Sequence, residues 1–214
     1  GAELHRNTVA LITDMSQPLG SAVGNGLEVR EAAELLRGQL PETAPLYQIC
    51  LLLAGEMLCL SGLAVTPEQG RDMARSAVEN GSAFARLARM ISLMGGDASL
   101  LSQPDRLCRV KQKLDVFPAR EGYIIAMDAA GVGRAAQLLG AGRATKTDVI
   151  DPAVGLVLHR RIGDFLRPTD PLATLCVNDE SRLPEARAAL TQSISLGDAP
   201  PAPLPALLGR ESGS

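Results

Sequence analysis

Hydrophobic positions change their spacing several times along this chain, and each change marks an element. Thr8–Thr13 is short and β-branched, which predicts a buried strand closed by Asp14. Pro18, Gly20, Gly24 and Gly26 punctuate the loop that follows. Asn25 with Glu28 three residues on makes a capping-box-like helix start. Leu27, Arg30, Glu31, Glu34, Leu35 and Leu36 populate that helix, and Gly38 suits its C′ position. Pro45 opens a long apolar helix to about Leu60, closed by Gly62. Leu46–Val65 is long enough to imitate a membrane span, but Gln48 and Glu56 sit inside it, so a buried core helix is expected. Thr66-Pro67-Glu68 starts a third helix running to Glu79 and stopped by Asn80-Gly81. A fourth begins at Ser82 and carries Phe84, Leu87, Met90, Ile91 and Met94 at helical spacing, which reads as a core stripe; Gly95-Gly96-Asp97 ends it.

The pattern then alters. Residues 99–118 hold the Ser102-Gln103-Pro104-Asp105 turn and the basic run Arg106, Arg109, Lys111 and Lys113, and read as a solvated linker. Beyond it the chain reads as α+β. Strands are predicted at Glu121–Met127, Val154–Leu158 and Leu172–Val177, with an Ile162-Gly163-Asp164 turn between the last two. Helices are predicted at Gly131–Leu139 and at Leu183–Gln192, the latter behind a Ser181 cap. Pro200–Pro205 and Gly209–Ser214 read as a mobile tail. The expected organisation is an α/β fold: residues 1–98 form the helix-rich C-terminal part of an α/β domain, 99–118 a linker, and 119–214 a smaller α+β domain. Gly1–Asn7 reads as the tail of a helix, and the strand after it needs a partner where few other strands are predicted before residue 115. A trimmed chain and a fragment of a larger α/β domain are the two readings of this start.

Composition narrows the function classes. The 214 residues are 46% hydrophobic and 21% charged, with a formal net charge of −3, so no basic footprint points to nucleic acid. Aromatics are 2% with no Trp, which leaves few stacking platforms for bases. Cys50, Cys59, Cys108 and Cys176 form no C-x-x-C pair and read as buried free thiols, fitting a reducing, cytoplasmic setting. The first residues do not show a cationic stretch followed by an apolar one, so no secretory signal is expected.

Candidate chemistry is sparse. Gly20-x-x-x-Gly24-x-Gly26 lacks the G-x-G-x-x-G spacing and a following Gly-Lys-Ser/Thr, so it reads as turns that release backbone carbonyls. Gly-Asp turns between short strands resemble lipoyl- and biotinyl-type carriers, but no carrier lysine stands in a Met-Lys-Met-like hairpin. Asp14 ends a strand, a ligand-facing position in α/β folds, and also suits a structural cap. Arg134, Arg143, Arg160 and Arg161 are candidates for a basic patch, although the adjacent pair would point to opposite faces of a strand.

One stretch carries a resemblance. Asp14-Met15-Ser16-Gln17-Pro18-Leu19-Gly20, followed by Val23-Gly24-Asn25-Gly26-Leu27-Glu28-Val29-Arg30-Glu31-Ala32, closely resembles the thymidine/pyrimidine-nucleoside phosphorylase family. The likeness continues through Leu139-Gly140-Ala141-Gly142-Arg143 and Val154-Gly155 to Gly163-Asp164. It implies a pentosyltransferase that reversibly converts thymidine or uridine and inorganic phosphate to free base and sugar 1-phosphate, acting as a homodimer. It also implies a potassium ion, with the carbonyls of Leu19 and Ala22 and the carboxylate of Glu31 as ligands. Such hard oxygen donors suit a cation of low charge.

The chain corresponds to the later part of the family's length, so the resemblance favours the fragment reading of its start. The family's Lys-x-Ser-x-Gly-Gly-type phosphate loop and its Arg…Ser…Lys base-binding set have no counterpart in these residues. His5 and His159 match no family catalytic position and read as surface or satisfied histidines. No catalytic or substrate-binding residue is therefore expected within this chain, and in isolation it is expected to be inactive. A non-catalytic or split-subunit interaction module, and another phosphorylase or phosphoribosyltransferase of similar fold, are the alternatives.

Overall fold

A computed structural model describes residues 6–143 and 145–212. It divides the chain into two compact units, with segments of the sequence alternating between them. One unit takes the described residues through Asp14, then Ala33–Ala98, then those from Leu204 onward. The other takes Met15–Ala32 and Ser99–Pro203.

In the first unit, β1 (Val9–Thr13) pairs antiparallel with β9 (Leu207–Ser212). The strand at Thr8–Thr13 thus finds its partner in the segment expected to be mobile. Leu207–Ser212 carries no β-branched run, and its register is set by a partner almost the whole chain away, so local pattern could not reveal it. The end of α1 (Asn25–Leu36) leads into α2 (Pro45–Leu60), α3 (Pro67–Glu79) and α4 (Ser82–Leu93). Both α1 and α2 stop in Schellman motifs. The N–H of Gly38 donates to Leu35 O at 2.9 Å and that of Gln39 to Glu34 O at 2.9 Å. Gly62 and Leu63 likewise donate to Cys59 O and Leu58 O. Thr66 caps α3 by accepting from Gln69 N–H at 3.2 Å, and Gln69 Oε1 accepts from Val65 N–H at 2.7 Å.

Leu35, Tyr47, Leu51 and Val78 form this unit's core. α2 and α3 cross where both backbones lack a side chain. A Cβ on Gly70 would lie 2.5 Å from Gly55 O, and one on Gly55 would lie 2.5 Å from Pro67 O. The apolar helices are less buried than their sequences suggest. Leu53, Met57 and Leu60 of α2 are exposed, and no described residue of α4 is buried; Met90 and, at the C-cap, Met94 are exposed. The stripe on α4 is a half-buried seam of Phe84, Leu87 and Ile91 rather than a core. The Arg37 guanidinium lies over the Phe84 ring, 4.3 Å from its centroid.

Glu56, the acid inside the apolar helix, is buried and paired. Arg210 of β9 donates from Nε to Glu56 Oε1 at 2.7 Å and from Nη2 to Oε2 at 3.1 Å. These hydrogen bonds hold the Glu56 carboxyl below its ordinary 4.5, against the opposing effect of burial. A depressed carboxylate pKa adds stability that is fully present above the unfolded value and is lost as pH falls through the folded one. Arg210→Met should therefore lower the melting midpoint at pH 7 by about 2–4 °C. The half-exposed arginine limits the effect. The gap to wild type should begin to narrow as pH drops below about 4.5, the unfolded value, and close as pH falls through the lower folded pKa, where native Glu56 takes up a proton. Thermal melts of both proteins from pH 3 to 7 check this; a gap independent of pH would contradict it.

In the second unit the strands described form two antiparallel sheets. One has the order β2 (Ala22–Val23), β5 (Gly155–Leu158), β7 (Ala173–Val177), β3 (Gln112–Val116). The other has the order β6 (Phe165–Leu166), β4 (Gly122–Met127), β8 (Ile194–Gly197). Helices α6 (Ala129–Ala136) and α7 (Leu183–Gln192) belong to the same unit. Asp128 caps α6, accepting from Ala130 N–H at 3.0 Å, and the helix ends in a π turn over Gln137–Ala141 with Gly140 at φ 102. Ile124, Val132, Val154, Leu156, Leu166, Leu175 and Leu190 are almost fully buried and form the core.

Residues 99–118 are more ordered than a solvated linker. They hold a 3₁₀ turn at Ala98–Ser102, the short α5 (Pro104–Leu107), a buried Cys108, and β3, whose Gln112–Val116 pairs in register with β7. The basic residues that suggested solvation are the outward positions of this segment. The expected Ser181 cap of α7 is also displaced: Arg182 holds the N-cap position, and Ser181 N–H donates to Asp179 Oδ1 at 2.9 Å.

Candidate functional site

From Met15 to Ala32, the stretch that carries the family resemblance folds into a loop, the short β2 and a helix start within the second unit. Gly24 accepts the first helical hydrogen bond of α1 from Glu28 N–H at 2.8 Å. The Glu28 carboxylate returns to Gly24 N–H at 3.0 Å. Glu28 thus closes back on Gly24 rather than Asn25, which gives only the carboxylate half of a capping box, since Gly24 has no side chain to return the bond.

Each glycine here answers a close approach. Gly24 lies at φ 139, and a Cβ on it would sit 2.4 Å from Val154 O. Its opposite number Gly155 lies at φ 145, and a Cβ there would sit 2.2 Å from Val23 O. A Cβ on Gly26 would lie 2.6 Å from Pro152 O, whose oxygen accepts from Gly26 N–H at 2.8 Å. The glycines serve strand-to-loop packing.

Leu19, Ala22 and Glu31 come together at this corner. The Glu31 side chain returns from the second turn of α1 and is buried. Its Oε1 accepts from Ser21 N–H at 2.7 Å and its Oε2 from Ala22 N–H at 3.2 Å. Gly20 makes room for it: a Cβ on Gly20 would lie 2.2 Å from Glu31 Oε2. Ala22 is buried and pairs with Val157 in the sheet. The Leu19 carbonyl accepts from Arg161 Nη2 at 3.0 Å, and that of Pro18 from Arg161 Nη1 at 2.8 Å.

Arg161 is the participant that sequence reasoning missed. It was one of four arginines proposed as a patch, and the fold divides them. Arg160 donates to its neighbour's carbonyl at His159, Arg134 donates to Gln137 Oε1, and Arg161 turns into the loop. The adjacent pair does point in different directions, but which of the two turns inward depends on the loop from residue 17 to 22. Burial draws the Arg161 pKa below the ordinary guanidinium value, while Glu31 and Asp164 oppose that fall, and the group stays charged.

His159 is a satisfied surface histidine. Thr174 Oγ1 donates to Asp115 Oδ1 at 2.6 Å and so accepts from His159 Nε2 at 2.7 Å. His5 lies outside the described residues. Asp14 N–H donates to Ala206 O at 3.2 Å, which ties the end of β1 to the approach to β9. All four cysteines are free, Cys108 and Cys176 buried and the other two half-buried; burial pushes the thiols of Cys50 and Cys176 up. No described helix is long and apolar enough to cross a membrane.

Comparison with known proteins agrees with the resemblance in both parts of the chain. Residues 2–84 match the model of a glycosyl transferase family a/b domain, and residues 123–197 match that of the pyrimidine nucleoside phosphorylase C-terminal domain. The pyrimidine-nucleoside phosphorylase of Geobacillus stearothermophilus is 38% identical over 200 residues, covering 94% of this chain and 46% of that protein. That of Bacillus subtilis (strain 168) is 41% identical over 182 residues, covering 85% and 41%. That of Staphylococcus aureus (strain bovine RF122 / ET3-1) is 36% identical over 198 residues, covering 92% and 45%. The chain spans about half the length of the curated relatives it matches. With both domain types in this order along one chain, and with mixed helix and sheet in the structure, the chain belongs to the thymidine/pyrimidine-nucleoside phosphorylase family.

Proposed function

We propose that this chain is the C-terminal portion of a pyrimidine-nucleoside phosphorylase acting on thymidine or uridine. Phosphate attacks the sugar C1′, the bond to the pyrimidine nitrogen breaks, and the products are the free base and a (deoxy)ribose 1-phosphate. The observation that carries this reading is the ordered match to both domain types at 36–41% identity to proteins named for that activity. In such a reaction a protein contributes mainly positioning and charge stabilisation. The same reading makes the intact protein a cytoplasmic homodimer.

The chain's own contribution is the corner of Leu19, Ala22 and Glu31. Its donors are carbonyl and carboxylate oxygens, and each carboxylate oxygen that accepts a single N–H keeps lone-pair capacity, so the set fits a potassium ion. The Leu19 and Ala22 carbonyls and the Glu31 carboxylate would hold it. When bound, the ion supplies a fixed positive charge that braces neighbouring loops. Glu31 itself fixes the Ser21 and Ala22 amides, and Gly20 leaves space for its carboxylate.

The test is base release from thymidine and from uridine with phosphate. A protein that joins this chain to the remaining family length should release thymine or uracil in a phosphate-dependent way, and the 214-residue chain alone should not. A joined protein that splits purine nucleosides but leaves both pyrimidine nucleosides intact would overturn the reading.

A further inference from the structure

We propose that Arg161 is a positioning residue, a built-in cation that orders the loop from Gln17 to Ala22 and shares its oxygens with any monovalent ion bound there. The ordering role stands on the geometry alone; the sharing rests on the cation site proposed above. Two successive carbonyls, those of Pro18 and Leu19, turn toward one guanidinium, at 2.8 and 3.0 Å. Converging carbonyl dipoles repel one another unless a cation or a strong donor lies between them. Arg161 supplies both in one planar group, and a longer contact of 3.5 Å reaches Ser21 Oγ.

The head group is not carried on a loose stem. Arg161 N–H donates to Asp164 Oδ2 at 2.8 Å, and Asp164 N–H donates back to Arg161 O at 3.0 Å. Ile162 N–H donates to Gln17 Oε1 at 3.1 Å, which ties the turn to the start of the loop. Gly163 N–H donates to Ile124 O and Ile124 N–H to Asp164 O, which fastens the turn to β4. On the other side, the Glu31 carboxylate accepts from the Ser21 and Ala22 amides. The loop's carbonyls are thus held by a cation and its amides by an anion. Asp164 and Glu31 are the acids whose charges favour the guanidinium.

Ion and guanidinium therefore draw on the same Leu19 carbonyl, and removing one should raise the demand for the other. The experiment follows amide hydrogen exchange at Ser21 and Ala22 in the 214-residue chain, in potassium chloride or choline chloride at equal ionic strength. Wild type should change little with potassium. Arg161→Gln should lose about tenfold in protection at these two amides in choline chloride, the size of one charged hydrogen bond. Potassium should restore part of it. Arg161→Lys keeps the charge but not the fork and should fall between. Unchanged protection in Arg161→Gln would overturn the proposal. So would a uniform loss through β5 and β7 in both variants, which would mark a general packing role. A local loss that potassium leaves unrestored would support the ordering role and overturn the cation site it is joined to.

Discussion

Gly155→Ala lowers the melting midpoint of the second unit by about 10 °C. Two costs add. Gly155 sits at φ 145, a conformation that a side chain adopts only under strain of about 1–3 kcal/mol. The new Cβ would also lie 2.2 Å from Val23 O, 3.0 Å from Leu27 Cδ1 and 3.1 Å from Gly24 Cα. Backbone cannot swing aside as a side-chain tip can, so overpacking adds about 1–3 kcal/mol more. The damage is directed at the site. β2 and β5 pair here, and Leu158 N–H donates to Ser21 O at 2.8 Å, so prising β5 from residues 22–24 loosens the loop that Glu31 and Arg161 hold. Gly24→Ala strikes the same crossing from the other strand, and the double variant should cost less than the sum. Gly133→Ala is the control: it lies inside α6 with nothing within 4 Å of the added carbon and should match or exceed wild type. Thermal melts of the four variants beside wild type decide the matter, and a Gly155→Ala midpoint equal to that of Gly133→Ala would refute the close-approach argument.

These glycines show where sequence reading works and where it stops. Helix ends were legible because their causes are local. Thr66-Pro67 at the start of α3 and Gly38 and Gly62 after α1 and α2 act through neighbours three to six residues away. The value of Gly24 and Gly155 lies in each other, 131 residues apart by their numbering, and no local pattern distinguishes them from ordinary turn glycines. The same distance hid β9, whose partner is β1, and Arg210, whose charge answers Glu56. Glu56 was visible as an acid that does not belong in a membrane helix, but its partner was not. At the candidate site, Leu19, Ala22 and Glu31 were reached by resemblance, not by spacing. Arg161 was in view only as one of four arginines of a candidate patch, because its inward turn is fixed by Asp164, Gln17 and two carbonyls that the fold brings to it. The two short strands β2 and β6, of two residues each, are too brief to leave any periodicity.

Glu31→Ala is expected to unpin the loop, at a cost of about 1–3 kcal/mol for the amides it leaves without an acceptor. Ser21 and Ala22 both donate to this carboxylate, and Ala22 is buried, so water cannot readily take over its N–H. Glu31→Gln separates the two things the residue does. It retains one oxygen acceptor but withdraws the negative charge that favours the Arg161 guanidinium. Hydrogen exchange at Ser21 and Ala22 should therefore rank wild type, then Glu31→Gln, then Glu31→Ala in protection. Gly20→Ala should approach the last of these, since its Cβ would lie 2.2 Å from Glu31 Oε2 and push the carboxylate off the amides. In a protein carrying the whole family length, the proposed cation site adds a second expectation: Glu31→Ala weakens the response of phosphorolysis to potassium and loosens phosphate binding. An Arg161→Gln, Glu31→Gln double variant ties the two sides together. If cation and anion act on one loop, the double variant loses less than the two single losses combined, with a coupling of about 0.5–3 kcal/mol. Strict additivity would mean that Arg161 and Glu31 hold the loop independently. An unchanged potassium response in Glu31→Ala would remove Glu31 from the ion's ligands while leaving its hold on Ser21 and Ala22 intact.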